Sequence, residues 1–253
     1  MLSLITRHLK ETGSTNDDAL AWAQNGAPHG AIVRADFQTQ GRGRAGRNWE
    51  SPEGLGLYFS LVLRPQIEIS QVPQLTMLAA LAAALATESV TQIPCNVKWP
   101  NDIILRGGKI GGVLSEARSS GEARSDHTNL VVFAIIGIGI NVNFSRADLP
   151  PRPILPATSL YIETGRVHST DEVFNEYGKQ FVALYDAWEN GGWPQLRAEW
   201  LQRDVLQHRR VKAQGEEGVA CGVDESGALL LQTSRGAQRI VAGDVETDEE
   251  YFA

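Results

Sequence analysis

The sequence predicts an α+β protein in which a larger domain with a mixed sheet precedes a small β barrel. Helix-like and strand-like segments alternate irregularly, which favours α+β over a doubly wound α/β fold. After residue 206 the chain changes to short strand-like segments at turn-like spacing, which is typical of a small barrel. The 253 residues, 42% hydrophobic and 21% charged, suffice for one large domain or two smaller ones.

Periodicity and capping signals locate the elements of the larger part. Helices are expected over 14–24, 70–90, 170–190 and 193–206, and strands over 31–38, 57–63, 97–99, 102–105, 109–116 and 130–140. Ser14 or Thr15 can cap the first helix, and Asp18 stands where a capping box places an acid. Residues 117–129 read as a surface hairpin, and the proline-rich residues 143–159 read as a loop.

The barrel is expected to contain strands over 210–213, 219–223, 228–233 and 238–241. These patterns divide the chain into a first domain, 1–206, and a second domain, 207–253. A unit as small as the second is marginally stable alone, so we expect it to dock on the first. The acidic tail 244–250 is expected to lie in solvent.

Charge and cysteine content argue against several classes of function. Lys and Arg total 23 against 30 Asp and Glu, giving a formal charge of −7, which disfavours non-specific binding to nucleic acid. Cys95 and Cys221 lie far apart and form neither a disulfide framework nor a metal-ligand spacing. No secretory signal or membrane-spanning segment is recognisable, so we expect a soluble, cytoplasmic protein.

The segment GRGRAGR at 41–47 carries the strongest local signal. It matches the dinucleotide-binding pattern G-x-G-x-x-G, but no helix opens at its glycines and no acid ends a second strand about 20 residues later. Three arginines on a glycine-rich loop instead predict an anion site, because freed backbone N–H groups and guanidinium forks both bind phosphate or carboxylate. A solvated basic loop and a small nucleic-acid contact are the alternatives.

Three further segments suggest a ligand pocket. KWPND at 98–102 places an amine, an amide and a carboxylate on one turn, although a plain Pro-Asn turn would use the same residues. The paired glycines of KIGGVLSE at 109–116 indicate a bulge or a closely approaching ligand. GIGINVN at 137–143 leaves one strand face flat, for a ligand or for a packed helix. Since no Ser-His-Asp or Cys-His pair stands out, the chemistry expected is positioning and charge stabilisation of an anionic ligand.

Together these segments resemble the biotin protein ligases over nearly the whole chain. The motifs occur in the family's order, namely STN at 14–16, Q-x-x-GRGRAGR at 38–47, KWPNDI at 98–103, GKIGGVLSE at 108–116 and GIGINVN at 137–143. The stretch GALLLQ…AGDV resembles the family's C-terminal SH3-like barrel. The resemblance implies a catalytic domain of the class II synthetase-like type. It further implies that biotin and MgATP form biotinyl-5′-adenylate, which a lysine of a biotin carboxyl carrier domain, from acetyl-CoA carboxylase or a related carboxylase, then attacks.

The resemblance also implies roles for individual residues. Those implied to bind biotin are Ser14, Thr15, Asn16, Gln38, Arg42, Gly43, Arg44, Lys109, Gly111 and Gly112. Those implied to bind the nucleotide are Arg44, Arg47, Trp49, Asn101, Lys109 and Asn141. Arg42, Arg44 and Lys109 are implied to be catalytic, and Asp102 to contact Mg²⁺. For Ser14 and Thr15, helix capping stays open beside ligand binding.

Two other functions are compatible with parts of this pattern. A lipoate or octanoate ligase or transferase shares the catalytic fold, although the arginine-rich loop disfavours it. A non-catalytic sensor of biotin or nucleotide would bind ligand without turning over ATP. Only about a dozen residues precede STN, so the DNA-binding segment of some family members, and with it operator binding, is not expected. The sequence leaves monomer and homodimer open.

Overall fold

The computed structural model describes residues 2–120, 129–150 and 155–247, and its strands form two sheets. The α+β class is confirmed. Parts of the expected hairpin, of the proline-rich loop and of the acidic tail lie outside the described residues.

The larger sheet has seven strands in the spatial order β1-β2-β3-β7-β6-β5-β4. They are β1 Ile5–Thr12, β2 Ala31–Gln38, β3 Gly56–Leu63, β4 Cys95–Lys98, β5 Asp102–Leu105, β6 Gly108–Ser119 and β7 Val131–Asn141. β1 runs parallel to β2, and the other neighbours pair antiparallel, so the sheet is mixed as predicted. β1 was not expected, because its sequence ITRHLKET is polar and largely exposed and an edge strand pairs on only one side.

Among the described residues, five α-helices pack on this sheet or on one another beside it. They are α1 Thr15–Gln24, α2 Val72–Thr91, α3 Leu160–Thr164, α4 Thr170–Gly191 and α5 Trp193–Arg203. α2 is apolar on all sides and is packed in the main core, which it shares with the inward residues of the sheet and of α4. Within the described ranges, 69–91 is the one helical stretch long and apolar enough to cross a membrane, and 72% of its apolar 18-residue window is buried inside the protein. We therefore assign it as a core helix.

The start of α1 differs from the prediction in one respect. Ser14 is the N-cap, but its side chain makes no capping hydrogen bond, so the expected capping box is not formed. Asp18 instead accepts a hydrogen bond from the Thr12 hydroxyl. The expected stop is confirmed, because the helix ends at Gln24 and Gly26 follows with φ of 86°.

The smaller sheet is antiparallel and has the order β11-β10-β9-β8-β12. Its strands are β8 Arg210–Ala213, β9 Glu216–Val223, β10 Leu229–Thr233, β11 Gly236–Ile240 and β12 Val245–Thr247. β12 corrects the expectation of a solvated tail, because Val245 is buried and Asp244 forms ion pairs with arginines. A strand of three residues among acidic neighbours is too short to show the hydrophobic alternation that predicts a strand.

Asp204 is a buried acid beside β4, in the segment that leads from α5 to the smaller sheet. Its backbone forms a parallel bridge with Val97 of β4, and the next residue, Val205, donates its N–H to the Val97 carbonyl at 3.0 Å. Asp204 is 8% exposed, and burial raises the pKa of its carboxyl group to about 6. The folded protein therefore holds a proton between about pH 4 and 6 that the unfolded chain has lost, so this group lowers stability as pH rises through that window.

Asp204→Asn is expected to increase the free energy of unfolding above pH 6 by on the order of 2 kcal/mol, because the neutral amide avoids burying a charge. The gain should shrink as pH falls below 6, because the folded carboxyl then takes up a proton, and it should be small at pH 4 and vanish below about pH 3, where the carboxyl is protonated in both the folded and the unfolded states. Urea unfolding of both proteins at pH 4, 5, 6 and 7.5 measures it. Glu53→Gln, the same charge change at an exposed site, is the control. A constant difference across these pH values would contradict the assignment.

Candidate active site

A cavity of about 400 Å³ lies over the larger sheet where the sequence motifs converge. Its lining includes Ser14, Thr15, Asn16, Gln38, Arg42, Gly43, Arg44, Arg47, Trp49, Asn101, Asp102, Lys109 and Gly112. Thirteen of the predicted site residues, drawn from four separate motifs, thus face one space. Asp244, Val245, Glu246 and Thr247 join them from the smaller sheet.

One end of the cavity is a set of neutral hydrogen-bonding groups. The Gln38 side-chain oxygen accepts hydrogen bonds from the Thr15 backbone N–H at 2.8 Å and from its hydroxyl at 3.0 Å. The buried Ser60 hydroxyl lies 2.8 Å from the Thr15 hydroxyl and 2.6 Å from the Asn16 side-chain oxygen. Asn16 in turn donates to Glu116 at 2.8 Å. These bonds fix the donors and acceptors in place, which suits recognition of a neutral polar head group.

The glycines of β7 make room for side chains of this site. A Cβ on Gly137 would come within 2.1 Å of the Asn16 side-chain oxygen, and one on Gly139 within 2.5 Å of the Trp49 indole nitrogen. The flat strand face predicted from GIGINVN therefore receives an asparagine from α1 and a tryptophan from the arginine-rich loop. The explanation by helix packing is confirmed, and close approach of a ligand stays a prediction, with Gly137 and Gly139 in the lining of the cavity.

The cationic side chains form the middle of the cavity, and carboxylates hold most of them. Arg42 pairs with Asp17 through two hydrogen bonds of 2.5 and 2.7 Å, and this bonding raises the pKa of Arg42. Lys109 pairs with Asp102, and each side chain of this pair is 15% exposed. Arg42 and Lys109 thereby place a guanidinium and an ammonium group in the lining of the cavity, one from the arginine-rich loop and one from β6.

The arginine-rich loop is folded against the smaller sheet. Arg44 donates to the Asn101 side-chain oxygen at 2.8 Å and to the Gly243 carbonyl at 2.9 Å, and Asp244 lies 3.4 Å from it. Arg47 pairs with the same Asp244 at 2.7 Å. The Asn101 amide donates to the Val113 carbonyl at 2.9 Å. The predicted turn forms, because the Asn101 backbone N–H donates to the Lys98 carbonyl at 3.1 Å, and the side chain of Asn101 in addition links β6 to the loop.

A second cavity of about 310 Å³ adjoins the first. It is lined by Arg47, Asn48, Trp49, Glu50, Lys109, Asn141, Phe144, Leu149, Pro150 and Ala157. The predicted residue Asn141 lies here and not in the first cavity, and its side chain donates to the Thr158 carbonyl at 3.0 Å. Aromatic and apolar walls beside Arg47 and Lys109 suit a flat heterocycle attached to a charged group.

Sequence reasoning missed the contribution of residues distant in the chain. Phe144 and Leu149 carry no motif, and AGDV at 242–245 predicts only the barrel, so it is the fold that brings these residues to the site. Gly111, predicted to bind ligand, lines neither cavity; a Cβ there would meet the Gly139 carbonyl at 2.7 Å. Its place is between paired strands.

Comparison with known proteins identifies the family. Residues 9–141 match the Biotin/lipoate A/B protein ligase family, and residues 209–247 match the Biotin protein ligase C terminal domain. The Biotin–[acetyl-CoA-carboxylase] ligase of Paracoccus denitrificans is 34% identical, covering 94% of this chain and 98% of that protein. The chain belongs to the biotin/lipoate A/B protein ligase family. The Bifunctional ligase/repressor BirA of Bacillus subtilis is 37% identical over 92% of this chain and 71% of its own length.

Solved structures agree with this family assignment. The biotin protein ligase from Aquifex aeolicus in complex with biotin and ATP has a TM-score of 0.80 and 32% identity, covering 96% of this chain and 98% of that one. The apo structure of the same ligase has a TM-score of 0.78 at 28% identity. The mixed sheet and the C-terminal sheet of this ligase-family chain are therefore those of a biotin protein ligase fold.

Proposed function

We propose that this protein activates biotin with ATP and transfers it to a lysine of a biotin carboxyl carrier domain. The observation that supports this most is the arrangement of the two cavities. In the first cavity a neutral hydrogen-bonding end is followed by several cationic side chains, and the second cavity, with its apolar walls, adjoins them. Biotin has a neutral ureido head and an anionic tail, and ATP has a flat base and an anionic chain. The named relatives, which include a ligase solved with biotin and ATP, support the same reaction.

Biotin would place its head at Thr15, Asn16 and Gln38, and its carboxylate near Arg42 and Lys109. Gln38 is held by Thr15, and Asn16 is held by Glu116 and Ser60, so the site is preorganised for that head group. The adenine would enter the second cavity beside Trp49 and Asn141. The reacting carboxylate and the α-phosphate would then meet near Lys109, which borders both cavities.

The first step joins two anions, so its barrier is largely electrostatic. A biotin carboxylate oxygen attacks the α-phosphorus, the bond to the bridging oxygen breaks, and pyrophosphate leaves with the electron pair. Lys109, Arg42 and Arg44 would neutralise the charge that accumulates on the α-phosphoryl oxygens. The acceptor lysine, as free amine, then attacks the acyl carbon of the mixed anhydride and releases AMP.

Mg²⁺ is proposed to arrive with ATP, with Asp102 as its protein contact. Lys109 bonds one oxygen of the Asp102 carboxylate, and the second oxygen is not part of that pair. Phosphate oxygens and water supply most ligands of such an ion, so one carboxylate is enough. When bound, the ion would offset phosphate charge.

The division into domains 1–206 and 207–253 stays a proposal, supported by the change from mixed to antiparallel sheet near residue 204. A cytoplasmic location and action without DNA binding are also proposed, and the formal charge of −7 supports the second.

The direct test of the proposed function incubates the protein with ATP, Mg²⁺, biotin and a carrier domain, and measures the mass of the carrier domain. We expect the mass of one biotinyl group; a lipoyl or octanoyl adduct, formed when those acids replace biotin, would indicate the sister activity.

Arg44→Gly is expected to release the adenylate before transfer. Arg44 ties the loop to Asn101 and to Gly243, so its loss frees the loop that would shield the anhydride from water. Leaked adenylate acylates exposed lysines, so biotinylation of a bystander protein should increase at least about tenfold relative to wild type. Arg146→Gly, at an exposed arginine of another loop, is the control. Bystander labelling at the wild-type level would contradict the shielding role.

A further inference from the structure

Lys98 and Gln38 both line the cavity but lie far apart in the larger sheet. Lys98 ends the edge strand β4, whereas Gln38 ends β2, near the opposite edge. Strand register places Lys98 beside Asp102, Asp102 beside Gly112, and Gly112 beside Gly139. One row therefore crosses β4, β5, β6 and β7, with Trp49 over Gly139 at one end. Neighbouring strands lie about 4.8 Å apart, so Lys98 stands roughly 14 Å from the Gly139 end.

Lys98 differs from the other cavity cations in having no carboxylate within ion-pair distance among the described residues, although Asp102, Asp204 and Asp244 lie in its surroundings. Arg42, Arg44, Arg47 and Lys109 each pair with a carboxylate, whereas Lys98 forms no ion pair within the described ranges of the chain. Lys98 is only 7% exposed, and its ammonium group donates a hydrogen bond to the Val245 carbonyl at 2.8 Å. Burial lowers the pKa of Lys98, while Asp102 and Asp244 partly oppose this.

A buried ammonium bonded to one carbonyl is costly unless it gains a charged partner. An ammonium has three donors, and the carbonyl of Val245 uses one of them. Because Lys98 lines the cavity, the remaining donors can reach an anion that enters it.

In-line geometry at phosphorus identifies that anion. The attacking oxygen and the leaving oxygen stand on opposite sides of the α-phosphorus. The biotin carboxylate approaches from the Gln38 end and the base occupies the lobe beside Trp49, so the leaving group departs along the row past Asp102. We propose that Lys98 binds the β- and γ-phosphates of ATP and holds the pyrophosphate as the bond to the α-phosphorus breaks.

The smaller sheet positions this lysine. Val245 of β12 accepts from Lys98, and Gly227, before β10, accepts from the Trp99 indole N–H at 2.9 Å. The C-terminal unit thereby fixes the turn that carries both Lys98 and Asp102. This gives that unit a part in the first half-reaction.

The proposal rests on the proposed function, and the two half-reactions separate them. In Lys98→Met we expect biotin-dependent ATP–pyrophosphate exchange to fall at least about tenfold, with a raised KM for pyrophosphate. Transfer from supplied biotinyl-5′-adenylate to the carrier domain should stay within about twofold of wild type, because no pyrophosphate takes part. Lys98→Arg, which keeps the charge, should recover much of the exchange, and Lys212→Met, at an exposed lysine of β8, should match wild type.

Each outcome decides one claim. A wild-type KM for pyrophosphate in Lys98→Met would overturn the assignment of Lys98. Equal losses in exchange and in transfer, with no rescue by Lys98→Arg, would show a purely structural role and overturn it too. Absence of biotin-dependent exchange in the wild-type protein would instead refute the proposed function.

Discussion

Replacing Lys109 with methionine is expected to slow biotin-dependent adenylation about a hundredfold, close to 2.7 kcal/mol of transition-state stabilisation. Lys109 borders both cavities, as Arg47 also does, and its partner Asp102 is the proposed Mg²⁺ contact. Without the ammonium, the approach of carboxylate to α-phosphate is opposed by uncompensated charge. Release of pyrophosphate in the first turnover measures the loss.

Two comparisons make the Lys109 result specific. Lys10→Met removes a charge from an exposed position of β1 and should leave the rate unchanged. Biotin affinity, measured by calorimetry without ATP, should weaken less than the rate falls, because most of the effect arises in the transition state. Pyrophosphate release at the wild-type rate would remove Lys109 from the reacting centre.

Gly137→Ala is expected to weaken biotin binding at least about thirtyfold and to lower the free energy of unfolding by about 1–3 kcal/mol. The new methyl carbon would lie 2.1 Å from the Asn16 side-chain oxygen, which is far closer than van der Waals contact allows. The same oxygen is the one that is hydrogen-bonded to Ser60. Asn16 must move, and its bond to Glu116 and the adjoining Thr15 group move with it. Calorimetric titration with biotin measures the affinity.

Gly13→Ala is the matched control for that substitution. Gly13 directly precedes the same polar group, but a Cβ there meets nothing within 4 Å. Its affinity for biotin and its stability should stay close to those of wild type. If Gly137→Ala bound biotin as tightly as Gly13→Ala, the polar end of the cavity would not be the head-group site.

Much of the fold was predictable because its elements carry local signals. Local patterns predict the type and approximate bounds of several elements. These patterns are the apolar runs of β2 and β3, the Ala-rich sequence of α2 and the aromatic face of α4. β1 and β12 carry no such signal, since one is a polar edge and the other has three residues. Both form because the neighbouring strand offers hydrogen-bonding groups, and no local pattern reports that.

The residues of the site were largely predictable, but the hydrogen bonds and ion pairs between them were not. Glycine-rich and arginine-rich motifs pointed to an anion pocket, and the structure brings nearly all of them to one cavity. The partners of those residues are distant in sequence: Gln38 bonds Thr15, and Arg44 bonds Asn101 and Gly243. Such pairings follow from strand order, which puts β7 between β3 and β6, and strand order was not deducible from the motifs.

The central claim is that the protein forms an adenylate from biotin, and one measurement tests it directly. Exchange of labelled pyrophosphate into ATP is followed with biotin, lipoate or octanoate and with no carrier protein. Exchange that depends on biotin alone is the predicted result, and it would establish reversible adenylation. Exchange with lipoate instead would assign the sister activity. Tight biotin binding without any exchange would indicate a sensor and contradict the catalytic roles given to Lys109, Arg42 and Arg44.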